Sequence, residues 1–318
     1  MKPSAMHALK AILLLVGCLL SVSPAISASE DESDVAARPD PVDEGKPRWE
    51  LGLAGAWVNG RDYPASKDDN TRLVALPYFI YRTPRLRVGD GVKAVAIENA
   101  QLRLDLSVAG SLNASSEKNS AREGMENIDF LGEIGPELTW RIPLGNPRDA
   151  ESAAGDNGEG AVDPGRLTLG TELHAVFGIG GGEVTYRGHL LEFDLRYARR
   201  ISKMSQLALF TGGSVTFASE RLQDYYYEVK PQFERPDRPR YDAREGLLSG
   251  SVVLGITGRP ADNLRFAAGV SLGMFGGAAN ADSPLHETNS SVTGFVGVIW
   301  RVARSRDNVL VHDLNDDL

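Results

Sequence analysis

Residues 101–108 read QLRLDLSV and residues 191–197 read LEFDLRY. In both stretches an apolar residue stands at every second position, and charged or polar residues occupy the positions between. Because the side chains of a β-strand point alternately to opposite faces, this spacing places the apolar residues on one face. The two stretches therefore predict strands with one face in an apolar environment and a charged face opposite.

The same alternation recurs along most of the chain from Trp49 onward. The other segments are 49–59, 72–82, two short segments between 86 and 98, 128–141, 166–177, 207–217, 247–258, 264–274 and 292–300. Several approach the length of about ten residues that a tilted strand needs to cross a bilayer. We predict an all-β fold, an antiparallel transmembrane β-barrel of about twelve strands.

Alternation alone also fits a soluble β-sandwich, whose apolar face is dry and whose polar face is wet. A membrane barrel has the reverse arrangement, with an apolar exterior and a polar interior. Aromatic residues near the predicted strand ends favour the barrel, because aromatic residues collect at membrane interfaces. These residues are Trp49, Trp57, Tyr78, Phe79, Tyr81, Trp140, Tyr197 and Trp300.

The N-terminus has the composition of a cleaved export signal. Lys2 and Lys10 flank the start of an apolar run, AILLLVGCLL at 11–20, and small residues follow it, with Ala25 or Ala28 as the cleavage point. The run is too short to cross a bilayer as a helix, which takes about 20 residues. In an alternative interpretation residues 15–18 (LVGC) form a lipobox, and Cys18 becomes a lipidated N-terminus.

Four parts of the chain are predicted. They are a signal peptide at 1–28, an acidic disordered periplasmic leader at 29–47, the barrel at 48–303 and a periplasmic C-terminal tail at 304–318. If the first strand rises from the periplasm, the outer loops fall at 60–71, 113–126, 178–188, 218–245 and 276–290. These loops are mostly long and the inner turns mostly short, as in bacterial barrels. A tight outer turn at 89–91 and a long inner insertion at 145–165 depart from that pattern.

Composition argues against several functional classes. The net charge of -9 disfavours nucleic acid as a partner. The five histidines are scattered without metal-ligand spacing. His174, beside Glu172, is expected to make a hydrogen bond inside the barrel. We find no catalytic motif and no cofactor motif, so we predict that the protein is not an enzyme.

Two groups of residues are candidate functional residues. Charged residues on the inward face form either a cross-linked polar core or a narrow channel that favours cations. They are Arg103, Asp105, Glu133, Glu137, Arg141, Glu172, Glu192, Asp194, Arg196 and Arg265. The outer loop DYYYEVKPQFERPDRPRY is either a contact for a partner or glycan or an interfacial aromatic cluster. Its aromatic residues are Tyr225, Tyr226, Tyr227, Phe233 and Tyr241.

Several short motifs resemble the MipA/OmpV family of MltA-interacting proteins. They are Tyr63-Pro64-Ala65-Ser66, LVALPYFIYR at 73–82, Gly135-Pro136-Glu137-Leu138, the Tyr-rich loop at 225–241 closing on Glu245-Gly246-Leu247, and Ser283-Pro284. The resemblance covers essentially the whole mature chain and implies an outer-membrane barrel.

For one branch of the family, the resemblance implies a scaffold that links a lytic murein transglycosylase to a murein synthase. Other members resemble surface antigens, adhesins or small-solute pores. The C-terminus departs from the family pattern, because such barrels usually end at an aromatic residue, whereas residues 304–318 follow Trp300 here. Either the assembly signal is internal, at about 292–302, or the last strand lies elsewhere.

Overall fold

Twelve antiparallel strands close into one barrel. The computed structural model describes residues 46–82, 87–88, 92–98, 101–111, 116, 119–144, 165–202 and 206–309. The strands of the wall are β2 (Trp49–Arg61), β3 (Asp69–Arg82), β4 (Arg87–Val88), β5 (Val92–Glu98), β6 (Leu102–Ser111), β7 (Phe130–Pro143), β8 (Arg166–Gly180), β9 (Glu183–Ser202), β10 (Leu207–Ala218), β11 (Gly246–Ala261), β12 (Leu264–Met274) and β13 (Ser290–Arg304). Each pairs with its sequence neighbour, and β13 returns to pair with β2. The predicted barrel of about twelve strands is confirmed.

The wall inverts the burial pattern of a soluble protein. On β6, Leu102 and Leu106 are exposed, whereas Arg103 and Asp105 between them are only 4% and 3% exposed. An apolar exterior around a charged interior is stable when lipid covers the outside and polar partners satisfy the inside. The last strand lies where the alternation predicts it, and Trp300 pairs with Leu53 of β2.

Two neighbouring residues of the wall explain a motif found in the sequence. A β-carbon at Gly135 would collide with the carbonyl oxygen of Leu173 on β8, so only glycine fits without a shift of the backbone. Pro136 follows and cannot donate a backbone hydrogen bond. The β7–β8 register accordingly holds pairs at Ile134 and Glu137 but none at the two residues between.

The wall has its shortest strand and its fewest strand pairs at β4. Among the described residues, β3 pairs with β4 only through Tyr81 and Arg82, although it pairs with β2 along its whole length. The turns that join β3, β4 and β5 lie outside the described residues, including the predicted turn at 89–91.

The predicted loop at 178–188 is wrong. β8 continues to Gly180 and β9 begins at Glu183, so Gly181 and Gly182 alone form the turn. Their φ angles of 59° and 88° are in the left-handed region, which a tight hairpin requires and glycine adopts readily. The loop at 218–245 is present, and it contains a helix, α1 (Glu220–Tyr227), and a 3₁₀ turn at Pro231–Phe233.

Both ends of the described chain meet at the inner rim. β1 (Lys46–Pro47) pairs with β14 (Asn308–Val309) in a separate two-stranded sheet, which we call the clasp. The backbone N–H of Arg48 donates to the carbonyl of Asp307 at 2.9 Å, and that of Ser305 donates to the carbonyl of Trp49 at 2.9 Å. The predicted signal peptide, the predicted leader up to residue 45, most of the 145–165 insertion and the last nine residues of the predicted tail (310–318) lie outside the described residues.

No helix in the part of the chain that the structure describes is long and apolar enough to span a membrane.

Candidate functional site

A packed core lies at the end of the barrel that the sequence predicts to face outward. We call this core the outer cap. It joins four loops, α1 and the upper ends of several wall strands. Its buried members are Tyr63, Ala65, Ile128, Leu131, Val176, Ala218, Leu222, Tyr226, Tyr227, Val229, Ala243, Leu248, Phe275 and Leu285.

Hydrogen bonds between distant loops hold the outer cap together. The Tyr63 hydroxyl donates to the carbonyl of Leu285 at 2.8 Å, and the Tyr227 hydroxyl donates to the carbonyl of Pro64 at 2.8 Å. The Ser283 hydroxyl donates to the carbonyl of Tyr227 at 2.8 Å. Burial raises the pKa of the Tyr63 and Tyr227 hydroxyls well above the usual range of tyrosine. The Tyr63–Ser66 and Ser283-Pro284 motifs thus meet at the mouth of the barrel, on loops that are neighbours because β13 pairs with β2.

The five aromatic residues of the Tyr-rich loop lie in different environments. Tyr226 and Tyr227 are buried inside the outer cap, so their rings pack rather than meet a partner from outside. Tyr241 donates from its hydroxyl to Asn280 Oδ1 at 3.1 Å. Only Tyr225 and Phe233 line a pocket that opens near the surface.

Nine of the ten predicted interior charges lie on four adjacent strands, β6 to β9. We call these nine residues, together with His174, the charged band. The nine residues are Arg103, Asp105, Glu133, Glu137, Arg141, Glu172, Glu192, Asp194 and Arg196. Arg265 lies apart from them on β12. Because consecutive strands pair in sequence order, these nine charges share one side of the barrel.

Ion pairs connect much of the charged band. Arg103 Nε lies 2.7 Å from Asp105 Oδ2 on the same strand. Arg196 contacts Asp194, and its Nη2 also lies 3.3 Å from Glu172 Oε1 on β8. The Thr216 hydroxyl donates to Glu192 Oε2 at 2.7 Å. Of the two predicted alternatives, a cross-linked polar core and a narrow channel, these contacts favour the cross-linked core.

His174, for which the sequence predicts a hydrogen bond inside the barrel, lies on β8 between two carboxylates. It is 1% exposed, with Nδ1 at 3.6 Å from Glu133 Oε2 and Nε2 at 3.7 Å from Glu172 Oε2. Both distances exceed hydrogen-bonding range, so the contact is electrostatic. Among the described residues no group of three or more His, Cys, Asp or Glu side chains is arranged to hold a metal ion.

The opposite side of the interior contains packed aromatic rings and small residues, beside polar side chains such as Ser214 and Ser251. The rings of Phe210 on β10 and Phe295 on β13 stack with centroids 6.5 Å apart. They lie against Gly255 and Gly269 of the intervening strands, where a β-carbon would clash with a ring. Nearer the inner rim, Ala54, Tyr78 and Ile80 form a second buried cluster with Ile299.

A closed antiparallel barrel with a lipid-facing apolar exterior and charged residues inside defines an outer-membrane β-barrel protein. The sequence profile of the MipA family, described as MltA-interacting protein MipA, matches residues 51–302. The chain belongs to this family, and it is a protein of the outer membrane. A direct comparison with curated protein sequences gives no match.

Solved structures of other outer-membrane proteins are similar to this chain. An outer membrane channel from Pseudomonas putida F1 has 10% sequence identity and a TM-score of 0.45, covering 83% of this chain and 100% of that one. A bacterial polysaccharide outer membrane secretin has 9% identity and a TM-score of 0.40, covering 80% and 99%. OprB of Pseudomonas putida has 7% identity and a TM-score of 0.36, covering 82% and 95%.

Proposed function

We propose that the protein is a non-enzymatic interaction protein of the outer membrane that contacts murein enzymes on its periplasmic side. The outer cap is the observation that carries this proposal. A pore needs a continuous wet path lined with polar groups. Here Tyr227 and Leu285 are fully buried in a packed core across the outer mouth. A packed core in this position supports a barrel that presents surfaces to partners over one that passes solutes.

The family supports the choice of partner. Its matched description is that of a protein interacting with MltA. By resemblance, the partner set is a lytic murein transglycosylase together with a murein synthase, which this protein would hold at the membrane as a scaffold.

The clasp is the periplasmic surface that best suits such a contact. Arg48, Arg304 and Arg306 are exposed on it or beside it. Exposed arginines at these positions favour an acidic patch on the partner, and their attraction to it weakens as salt screens the charges.

Retention of a lytic transglycosylase by the full-length protein in mild detergent tests this proposal. The wild type is expected to retain the enzyme at low salt and to release it as salt rises. Replacing Arg304 and Arg306 by Glu is expected to abolish retention. Arg240→Glu, on an exposed arginine of the opposite end, is the matched control and is expected to retain it. If the wild type retains no transglycosylase under any of these conditions, the proposal is wrong.

A second candidate is a pore that favours cations, supported by the charge balance of the charged band. The band holds six carboxylates (Asp105, Glu133, Glu137, Glu172, Glu192 and Asp194) but only three arginines (Arg103, Arg141 and Arg196). Conductance in planar bilayers separates the two candidates. We expect no steps above leak from the wild type, and cation-selective steps would favour the pore.

A further inference from the structure

A pocket opens beside the outer cap, between α1 and the segment 119–129. We call it the outer pocket. It has a volume of about 130 Å³, which is room for several waters or a single sugar ring. The residues that matter for its chemistry are Arg122, Met125, Arg187, Asp224, Tyr225 and Phe233.

A buried cation forms one side of the outer pocket. Arg122 is only 4% exposed. Its Nη1 donates to the carbonyl of Tyr226 at 2.9 Å and its Nη2 donates to the carbonyl of Glu126 at 3.3 Å. Its Nε is buried and has no hydrogen-bond partner among the described residues. A charged donor held in this state favours an anionic acceptor, because an unpaired buried polar atom is costly.

A carboxylate supplies the complementary group. Asp224 on α1 accepts a hydrogen bond from the backbone of Ala243. Its Oδ1 is buried without a partner among the described residues. An oxygen in this position accepts from a hydroxyl donor of a ligand.

An aromatic face completes the outer pocket. The guanidinium carbon of Arg187 lies 4.3 Å from the ring centroid of Tyr225, and Arg187 Nη2 is held by Asp129 Oδ2 at 2.8 Å. The Tyr225 ring is thus fixed in place. Phe233 is also half-buried at the pocket. Apolar faces of this kind suit the C–H face of a sugar ring.

We infer that the outer pocket binds an acidic sugar unit, with its carboxylate at Arg122 and its hydroxyls at Asp224. Each alternative ligand leaves one of these groups unsatisfied. A neutral sugar offers no anion to Arg122, whereas inorganic phosphate offers no apolar face to Tyr225 and brings like charge towards Asp224. This assignment gives a ligand class to the glycan contact predicted for the Tyr-rich loop. Of the five aromatic residues predicted to make that contact, it retains Tyr225 and Phe233.

Titration of the full-length protein in detergent with glucuronate tests the inference, read by calorimetry. Saturable binding is expected in the millimolar range, and glucose is expected to bind at least about tenfold more weakly because it lacks the charge-assisted contact. Inorganic phosphate and glycine serve as the anion and zwitterion controls. Equal binding of either control would show a general anion or zwitterion site and would overturn the inference, as would the lack of saturable glucuronate binding.

Two variants with matched controls locate the binding. Arg122→Gln is expected to weaken glucuronate binding about tenfold, and Asp224→Asn about fivefold. The exposed residues Arg240 and Asp237 provide the controls Arg240→Gln and Asp237→Asn, which are expected to bind as the wild type does. Because Arg122→Gln could loosen the outer cap, the isosteric Asp224→Asn keeps the test decisive. Wild-type affinity in Asp224→Asn, with no change in its pH profile, would contradict the inference.

The pH profile gives a readout that a merely structural role would not move. Burial, together with the negative charges of Glu228, Glu220 and Asp242, raises the pKa of Asp224 to about 6. Glucuronate stays ionised between about pH 5 and 7. Wild-type affinity is therefore expected to fall as pH drops through about 6 and Asp224 gains a proton, whereas Asp224→Asn is expected to be flat over this range.

Discussion

In the outer cap, Tyr227 and Leu285 are 0% exposed, and polar side chains such as Ser283 are buried with them. In the wall, Leu254 is 50% exposed and Trp300 is 47% exposed, whereas Asp105 and His174 are almost fully buried. The two regions belong to one chain, but the outer surface of the cap faces water and the outer surface of the wall faces lipid. Which residue types are buried therefore depends on whether water or lipid surrounds that part of the chain.

The largest expected effect comes from the outer cap. Tyr227→Ala removes a fully buried ring and is expected to cost about 3–5 kcal/mol of the free energy of unfolding. Tyr227→Phe keeps the ring and loses only the hydrogen bond to Pro64, at about 1 kcal/mol. Denaturant titration of the refolded protein in lipid vesicles measures both. Equal losses for the two variants would mean that the ring is not a core residue.

The wall gives the next largest effect. Leu254→Arg, near the middle of β11, is expected to cost about 2–4 kcal/mol because it places a charge at mid-depth in lipid. Val302→Arg, near the inner end of β13, is the matched control, at about 0–1 kcal/mol. The same titration measures this depth dependence. Similar costs at both positions would remove the basis for treating the wall as membrane-spanning.

A smaller effect on the free energy of unfolding is expected from backbone contacts within the wall, which face neither water nor lipid. Gly135→Ala forces a β-carbon against the Leu173 carbonyl and is expected to cost about 1–3 kcal/mol. At Gly250, the nearest atom to an added β-carbon is the flexible Met274 Cε, 3.5 Å away. Gly250→Ala is therefore expected to be close to neutral. A near-neutral Gly135→Ala would show that the β7–β8 contact adjusts easily.

The smallest effect is a pH dependence confined to the outer cap side. The pKa of Asp224 is raised to about 6. A carboxyl whose folded pKa is raised contributes stability below its unfolded pKa, and this contribution is lost as pH rises through the folded value. The loop at 218–245 is therefore expected to be cut more slowly by protease at about pH 5 than at pH 7. Asp224→Asn resembles the protonated form and is expected to be insensitive to pH. A wild-type cutting rate that does not change with pH would contradict this expectation.

Sequence alternation predicted the wall well because a period of two is a local property. The strands around Leu102 and Leu191 could be predicted from neighbouring residues alone, and so could the inward placement of Asp105 and Asp194. The hairpin at Gly181 and Gly182 was mistaken for a loop because five glycines in eleven residues suggest flexibility, whereas two of them are needed for a tight turn.

The outer cap was beyond local patterns. Its hydrogen bonds join Tyr63 to Leu285 and Tyr227 to Pro64, which are 222 and 163 residues apart. Short apolar and aromatic motifs gave no sign of which loops would meet. The outer pocket was missed for the same reason, since Arg122 and Asp224 come from different loops. The Tyr-rich composition of residues 225–241 was the one signal that pointed to this part of the molecule.

The clasp has a consequence for topology. Because β2 and β13 are neighbours and β1 and β14 meet just beneath them, a short linker from Val309 to Lys46 could join the two ends without disturbing any pairing. New termini between Gly181 and Gly182, at an exposed hairpin tip, would then give a circular permutant that retains all twelve strand contacts of the wall. The order of the strands around the barrel is fixed, but the closed wall does not require the chain to begin at any particular strand.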